Sequence, residues 1–326
     1  MLYAGLHDDY HGVPGAWTFT QCQNRDCRMV WLDPMPLEED IGLAYRVYQT
    51  HTVAPPTTSF LRRLYDAAID GHLRRKFRYR LAGRPWSRLL EPLVYLHPGG
   101  PAEAQSRAMF LGRPQAGARL LDLGCGNGQA LAVMLALGWQ VEGIDTDPDA
   151  VEIARRRGLT VHLGTLADRR YPEDHFDAIY MNHVIEHVHQ PIDLLAECHR
   201  ILKPGGVLVV LTPNGASWGH RDFGKDWVGL DPPRHLYVFR VANLTACVRA
   251  AGFEQLRVRT IARWVRFVVV MSETIRRRRS TGGYDAGLPR RFLRSRAIWR
   301  QFGERFALLL RPRIGEEIVL VASKRR

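Results

Sequence analysis

Long apolar runs are missing from this 326-residue chain. The longest candidate, Phe267-Val268-Val269-Val270-Met271, falls far short of the roughly 20 residues a bilayer-spanning helix needs. No basic-then-apolar leader opens the sequence, so a soluble, cytoplasmic protein is expected. Cysteine is scarce too: five residues, an odd number scattered along a long chain, do not form a disulfide framework. Lysine is scarcer still, at Lys76, Lys203, Lys225 and Lys324, so the net charge of +13 is carried by arginine. A basic balance suits nucleic acid or an anionic membrane, but no nucleic-acid-binding motif accompanies it, and nucleic acid is not an expected partner. Internal repeats and long low-complexity tracts are absent as well.

What is present divides into zones. Residues 1–52 are rich in Gly, Pro, Asp and aromatics and carry Cys22 and Cys27. Residues 53–110 are Arg-rich with helical periodicity, in which Phe60, Leu61, Leu64, Ala67 and Ala68 recur at helical spacing, followed by Leu73 and Phe77. From residue 111 to 326, short apolar runs alternate with helical patterns, the mark of a parallel sheet with crossover helices. Strands are predicted at 119–123, 140–144, 160–163, 176–181, 207–211, 255–260 and 318–322. Helices are predicted at 129–137, 149–157 and 191–202. The fold class is α/β, a doubly wound Rossmann-like sheet with an N-terminal appendage. A basic helical insert, 261–313, separates the last two strands.

The turn Gly124-Cys125-Gly126-Asn127-Gly128 lies between a predicted strand and a predicted helix. Glycine permits positive φ and close backbone approach to a ligand, and the following helix N-terminus favours a carboxylate or other anion. Asp145 ends the next strand, about twenty residues on, where an acid can accept both hydroxyls of a ribose. That much fits any adenosine cofactor. The spacing G-x-G-x-G preceded by Asp122 differs from the G-x-G-x-x-G of dinucleotide folds, which argues against the rival reading of an NAD-dependent oxidoreductase.

These residues resemble the class I methyltransferases, whose first motif has the form acid-x-G-x-G-x-G. The resemblance continues through Gly143-Ile144-Asp145, Gly164 to Asp168, Phe176 to His187 and Leu202 to Leu208. It implies a seven-stranded sheet with an antiparallel last strand, S-adenosylmethionine as cofactor and methyl transfer to a small-molecule, sugar or lipid-linked acceptor, with oxygen favoured. A non-catalytic module that binds the cofactor is the other alternative. The resemblance assigns Asp122, Gly124, Cys125, Gly126, Gly128, Asp145, Thr165, Leu166 and Asn182 to cofactor binding. Many relatives carry Asp where Thr165 stands.

For the acceptor side the candidates are His183, Glu186, His187 and His189, then Thr212-Pro213-Asn214 and the segment Trp227 to Tyr237. Removing a hydroxyl proton needs a placed base, and the expected bases are His235, His187 and His183. Ubiquinone-type O-methyltransferases use E-x-x-E-H for a divalent cation; here Asn182 or His183 replaces the first glutamate, so no metal is expected. Cys22-Gln23-Asn24-Arg25-Asp26-Cys27 with Met29 to Pro34 resembles the second knuckle of a zinc ribbon. Its first knuckle would precede Met1, which implies a start internal to a longer frame. In the insert, Phe292, Trp299, Phe302 and Phe306 fall on one helix face, flanked by Arg294, Arg296, Arg300 and Arg305. That face is expected to pack on the core as a lid over the acceptor, the alternative being a peripheral anionic membrane contact through 263–313.

Overall fold

The structure, a computed structural model, describes residues 1–9, 11–45, 59–81, 85–280 and 290–326, with the side chains of 85 and 290–294 outside the description. The chain opens with β1 (Tyr3–Leu6), β2 (Trp17–Gln21) and β3 (Val30–Leu32), then the helices α1 (Phe60–Lys76) and α2 (Gly100–Arg107). The alternating domain follows as β4 (Arg119–Leu123), α3 (Gln129–Ala136), β5 (Gln140–Asp145), α4 (Pro148–Arg156), β6 (Val161–Leu163), β7 (Phe176–Asn182), α5 (Pro191–Ile201) and β8 (Leu202–Pro213). The last third holds α6 (Trp218–Phe223), β9 (Tyr237–Val238), α7 (Val241–Ala250), β10 (Gln255–Ile261), α8 (Val265–Ser280), α9 (Arg290–Leu310) and β11 (Glu317–Ser323).

The large sheet has the order β10-β11-β8-β7-β4-β5-β6. β4 to β8 run parallel, and β11 pairs antiparallel with both β8 and β10. The seven expected strands and the antiparallel last strand are all found. Both faces are covered, as a parallel sheet requires. Leu121, Leu123, Ile179, Met181, Leu208 and Val210 face one cluster, shared with α5 and α7. Their neighbours Leu120, Ala178, Tyr180, Val209 and Leu211 face the other, shared with Met109, Met134 and Trp139. α4 begins where expected, with the Asp147 side chain accepting from the Asp149 and Ala150 amides. β8 starts five residues earlier than predicted. Leu202 already pairs with Phe176, and Gly205 and Gly206 exchange backbone hydrogen bonds with Lys324.

The N-terminal strands do not stand alone. They form a second, antiparallel sheet, β1-β2-β3-β9, whose last strand comes from beyond residue 230. Phe19, Val30 and Leu32 share a core with Trp227, Leu230, Leu236 and Val265. In α1, Ala67, Ala68 and Leu73 are buried as the periodicity predicts, whereas Phe60 and Leu61 are exposed. Leu61 faces a cavity instead of the core.

The insert forms α8 and α9 as expected, but its aromatic face is not packed on the core. Trp299 is 76% exposed, and Phe306, Leu309 and Leu310 are exposed as well; Ala297, Gln301 and Glu304 make the buried face. This corrects the expectation of a lid docked through its aromatics, because helical spacing selects a face without saying what covers it. The side chains of Phe292 and Arg294 lie outside the described residues.

Candidate active site

Three glycines shape the turn after β4, at φ +70° for Gly124, +53° for Gly126 and +74° for Gly128. They do different work. A Cβ on Gly124 would meet Val184 Cγ2 at 2.6 Å, and one on Gly128 would meet Leu159 Cδ1 at 2.5 Å. Those two are glycine so that the chain can pack on itself. A Cβ on Gly126 meets nothing within 4 Å. Gly126 therefore borders open space beyond the carboxyl ends of the strands, where α/β folds bind ligands.

Asp145 adjoins that space. Its Oδ2 accepts from Gly126 N–H at 2.6 Å and its Oδ1 from Asp147 N–H at 2.9 Å. These bonds fix the carboxylate at the end of β5 and lower its pKa, while burial, the larger effect, raises it above its ordinary value. Asp122 is buried inside β4; burial first, and then the charge of Asp145, push its carboxyl well up. Cys125 is buried under the turn, with its thiol pushed up by burial. On the expected adenine side, Thr165 is exposed and donates both N–H and hydroxyl to Asp168 Oδ2 at 2.7 Å, while Leu166 is buried against the main core.

Asn182 and His183 terminate β7. His183 holds φ +55°, a strained setting for a non-glycine residue. Its Nδ1 lies 3.0 Å from Glu186 Oε1 and its Nε2 3.0 Å from Glu317 Oε1. Burial opposes the ring's charge, but hydrogen bonds to the two glutamates outweigh it and lift the ring to about 9. Arg263 completes the network, with Nη2 2.8 Å from Glu317 Oε1 and 3.4 Å from Asn182 Oδ1. A ring charged at neutral pH with both nitrogens engaged does not accept a proton. This removes His183 from the expected bases.

His187 and His235 are brought together, their rings 4.7 Å apart edge to face. His187 Nδ1 lies 2.9 Å from Arg234 O and 2.8 Å from the Tyr45 hydroxyl; His235 Nδ1 lies 2.8 Å from Gly229 O. A carbonyl only accepts, so each Nδ1 carries the proton and each Nε2 keeps its lone pair. Burial, then the proximity of His235, holds His187 down near 4. Arg234, fully buried, ties this corner to the N-terminal segment through Asp231 and Asp8. His189 is turned away, with Nε2 2.9 Å from Pro36 O.

A cavity of about 740 Å³ adjoins the network. Its wall includes Tyr65, His97, Arg263, Trp264, Phe267 and Gln301, contributed by α1, the stretch before α2, the turn between β10 and α8, α8 itself and α9. The Trp264 ring sits edge-on to His183, 6.4 Å away. Arg263, Trp264 and Glu317 were not among the residues picked out of the sequence for this site. The signal available was an acid opening an otherwise apolar strand and an arginine just past the strand that pairs with it.

Residues 100–258 match a family described as a methyltransferase domain. Over 152 residues the chain is 36% identical to a ubiquinone biosynthesis O-methyltransferase of Cereibacter sphaeroides, covering 40% of this chain and 62% of that protein. Over 141 residues it is 34% identical to a probable S-adenosylmethionine-dependent methyltransferase of Mycolicibacterium smegmatis, covering 43% of this chain and 53% of that one. The chain thus spans somewhat over half the length of the curated relatives it matches. Among solved structures it is similar to phosphoethanolamine N-methyltransferase 2 of Haemonchus contortus, with a TM-score of 0.47 at 17% identity, covering 71% of this chain and 54% of that one. Residues 100–258 are a methyltransferase domain, and the seven-stranded sheet they complete with β11 has the class I S-adenosylmethionine-dependent fold.

Proposed function

We propose that this chain transfers a methyl group from S-adenosylmethionine to a hydroxyl of a small or lipid-linked acceptor. The observation that carries this is the open space at Gly126 beside Asp145, with Asn182 linking it through Arg263 to a roomy, largely apolar cavity. The residues present fit the cofactor: a side-chain-free backbone turn for the methionine end, a fixed carboxylate for the ribose and an exposed Thr165 at the adenine edge. Bound there, S-adenosylmethionine would supply an electrophilic methyl group. Asp145 then orients the ribose end and Asn182 faces the methionine end. The acceptor occupies the cavity among Tyr65, Trp264 and Phe267. The base offered for its proton is His235, whose Nδ1 is held by Gly229 O, with His187 in the same posture beside it. The names of the curated relatives favour oxygen as the atom methylated. The test is methyl-labelled cofactor with extracts of the source cell. Labelled product that disappears in Asp145→Ala supports the reading; cofactor binding with no labelled product from any extract leaves a binding module.

The exposed face of α9 favours a peripheral site of action. Trp299, Phe306, Leu309 and Leu310 project from one side, and Arg296, Arg311 and Arg313 lie exposed nearby in sequence. The run Arg276 to Arg279 contributes less, since Arg276 and Arg279 pair with Asp226 and Arg277 with Glu273. Apolar side chains with arginines at the rim suit an anionic bilayer surface, each arginine adding roughly 1 kcal/mol. Co-sedimentation with anionic but not neutral vesicles, weakened by salt and by Trp299→Ser with Phe306→Ser, supports this; no sedimentation at low salt refutes it. Among the described residues no helix is long and apolar enough to cross a membrane.

A further inference from the structure

A second cavity, of about 570 Å³, shares no lining residue with the one proposed for the acceptor. It lies between the end of α1 and the edge of the large sheet, over β10 and β11. Arg257 and Arg259 are two residues apart on β10, so they share one face at a spacing of about 7 Å. The antiparallel register sets Val321 and Val319 opposite them, and all four line the cavity. Lys76, the last residue of α1, lines it from the helix side, and Phe77, Tyr95 and Phe110 supply aromatic walls.

The charge of this groove is one-sided. Among the described residues no carboxylate lines it, and Lys76, Arg257 and Arg259 are not ion-paired. Arg259 lies over the Phe110 ring, 5.4 Å from its centre, and donates to Gln105 Oε1. Burial lowers it below the ordinary arginine range, with no acid to offset the effect. Cations gathered on one concave surface repel one another, and an anion between them relieves that. His72 lines the groove as well. It is 2% exposed, its Nδ1 is 3.5 Å from Glu91 Oε1, and its Nε2 has no hydrogen-bond partner. Glu91 itself is held by Arg75, whose Nη1 donates to its Oε2 at 2.7 Å. A buried ring nitrogen left bare is costly, and a polar atom of a ligand would satisfy it.

We propose that this groove is a binding site for a phosphate monoester carried on a planar or apolar body, separate from the methyl-transfer site. Two guanidiniums and an ammonium match a dianionic phosphate better than a singly charged carboxylate, and a guanidinium fork can hold two phosphate oxygens at once. The aromatic rings and the two valines receive the body. The volume suits one small ligand. The site stands whether or not the chain transfers methyl groups.

Calorimetric titration of the full chain with phenyl phosphate, inorganic phosphate and benzoate tests this. One site for phenyl phosphate is expected, at least about tenfold tighter than for either of the other two. Affinity should fall at least about tenfold in the double variant Arg257→Gln with Arg259→Gln. It should stay unchanged in Arg311→Gln with Arg313→Gln, which removes as much charge from an exposed stretch elsewhere. Lys76→Gln should weaken binding too, and serves if the strand variant folds poorly. Dihexanoyl phosphatidic acid, which bears the same monoester, tells a lipid source from a soluble one: it binds more tightly than phenyl phosphate through the same arginines in the first case and more weakly in the second. No saturable site, equal affinity for benzoate, or equal losses in the two arginine pairs overturns the assignment. S-adenosylmethionine binding is read separately and should be unchanged in Arg257→Gln with Arg259→Gln, so a failed phosphate site and a failed methyltransferase reading give different results.

Discussion

Replacing Gly126 and Gly128 by alanine, one at a time, separates a glycine kept for a ligand from a glycine kept for packing. Both sit at positive φ, +53° and +74°, so an L-residue costs about 1–2 kcal/mol at either site. Gly128→Ala also drives a methyl to within 2.5 Å of Leu159 Cδ1 and 2.9 Å of Ala154 Cβ, on and beside α4. Overpacking of that kind adds about 1–3 kcal/mol. Gly126→Ala adds none of this, because nothing lies within 4 Å of its Cβ. Urea unfolding should therefore show Gly128→Ala losing about 2–5 kcal/mol and Gly126→Ala only about 1–2. Calorimetric titration with S-adenosylmethionine should show the opposite emphasis at Gly126. A methyl in the open space should weaken binding at least about tenfold, or about 1.4 kcal/mol. Equal stability losses in the two variants, or full affinity in Gly126→Ala, would refute the division of labour argued here.

Asp145→Ala removes a carboxylate fixed by two amide bonds; cofactor affinity should drop by about 1.5–3 kcal/mol in the same titration. His235→Ala should lower turnover by about a hundredfold while leaving cofactor affinity nearly intact, and His187→Ala should show the pattern instead if that ring takes the proton. Glu304 and Glu316 are buried together, with Glu316 N–H donating to Glu304 Oε1 at 3.2 Å. Burial first, and then the charge of its neighbour, pushes Glu304 up to about 10, and burial raises Glu316 as well. Acids raised on folding add stability that is complete below their unfolded pKa and lost as pH rises toward the folded one. The urea midpoint of the wild type should thus fall between about pH 6 and about pH 9 more than that of Glu304→Gln, whose amide keeps the neutral shape; parallel pH profiles would contradict this.

The alternating domain was legible because its signals are local. Leu120 to Leu123, apolar but for Asp122, and Val207 to Leu211 are runs of strand length, and Gly124 to Gly128 and Asp145 sit at the ends of their strands. What stayed hidden depends on partners far away in sequence. β3 finds β9 across about two hundred residues, and Val30 and Trp31 give no hint of Val238 and Tyr237. Arg263 meets Glu317 from 54 residues away, and through that pair His183 becomes a charged anchor instead of a base. The segment Pro85–Leu96 forms 3-10 turns, with Pro92 inside, and carries no clean period to read. The cavity proposed for the acceptor draws its walls from α1, α8 and α9, which no single motif connects.

Equilibrium titration of the full chain with S-adenosylmethionine and, separately, with NADH tests the central claim most directly. The account predicts one saturable site of micromolar affinity for S-adenosylmethionine, weakened at least about tenfold in Asp145→Ala, and no heat with NADH. Tight NADH binding with no response to S-adenosylmethionine would contradict it.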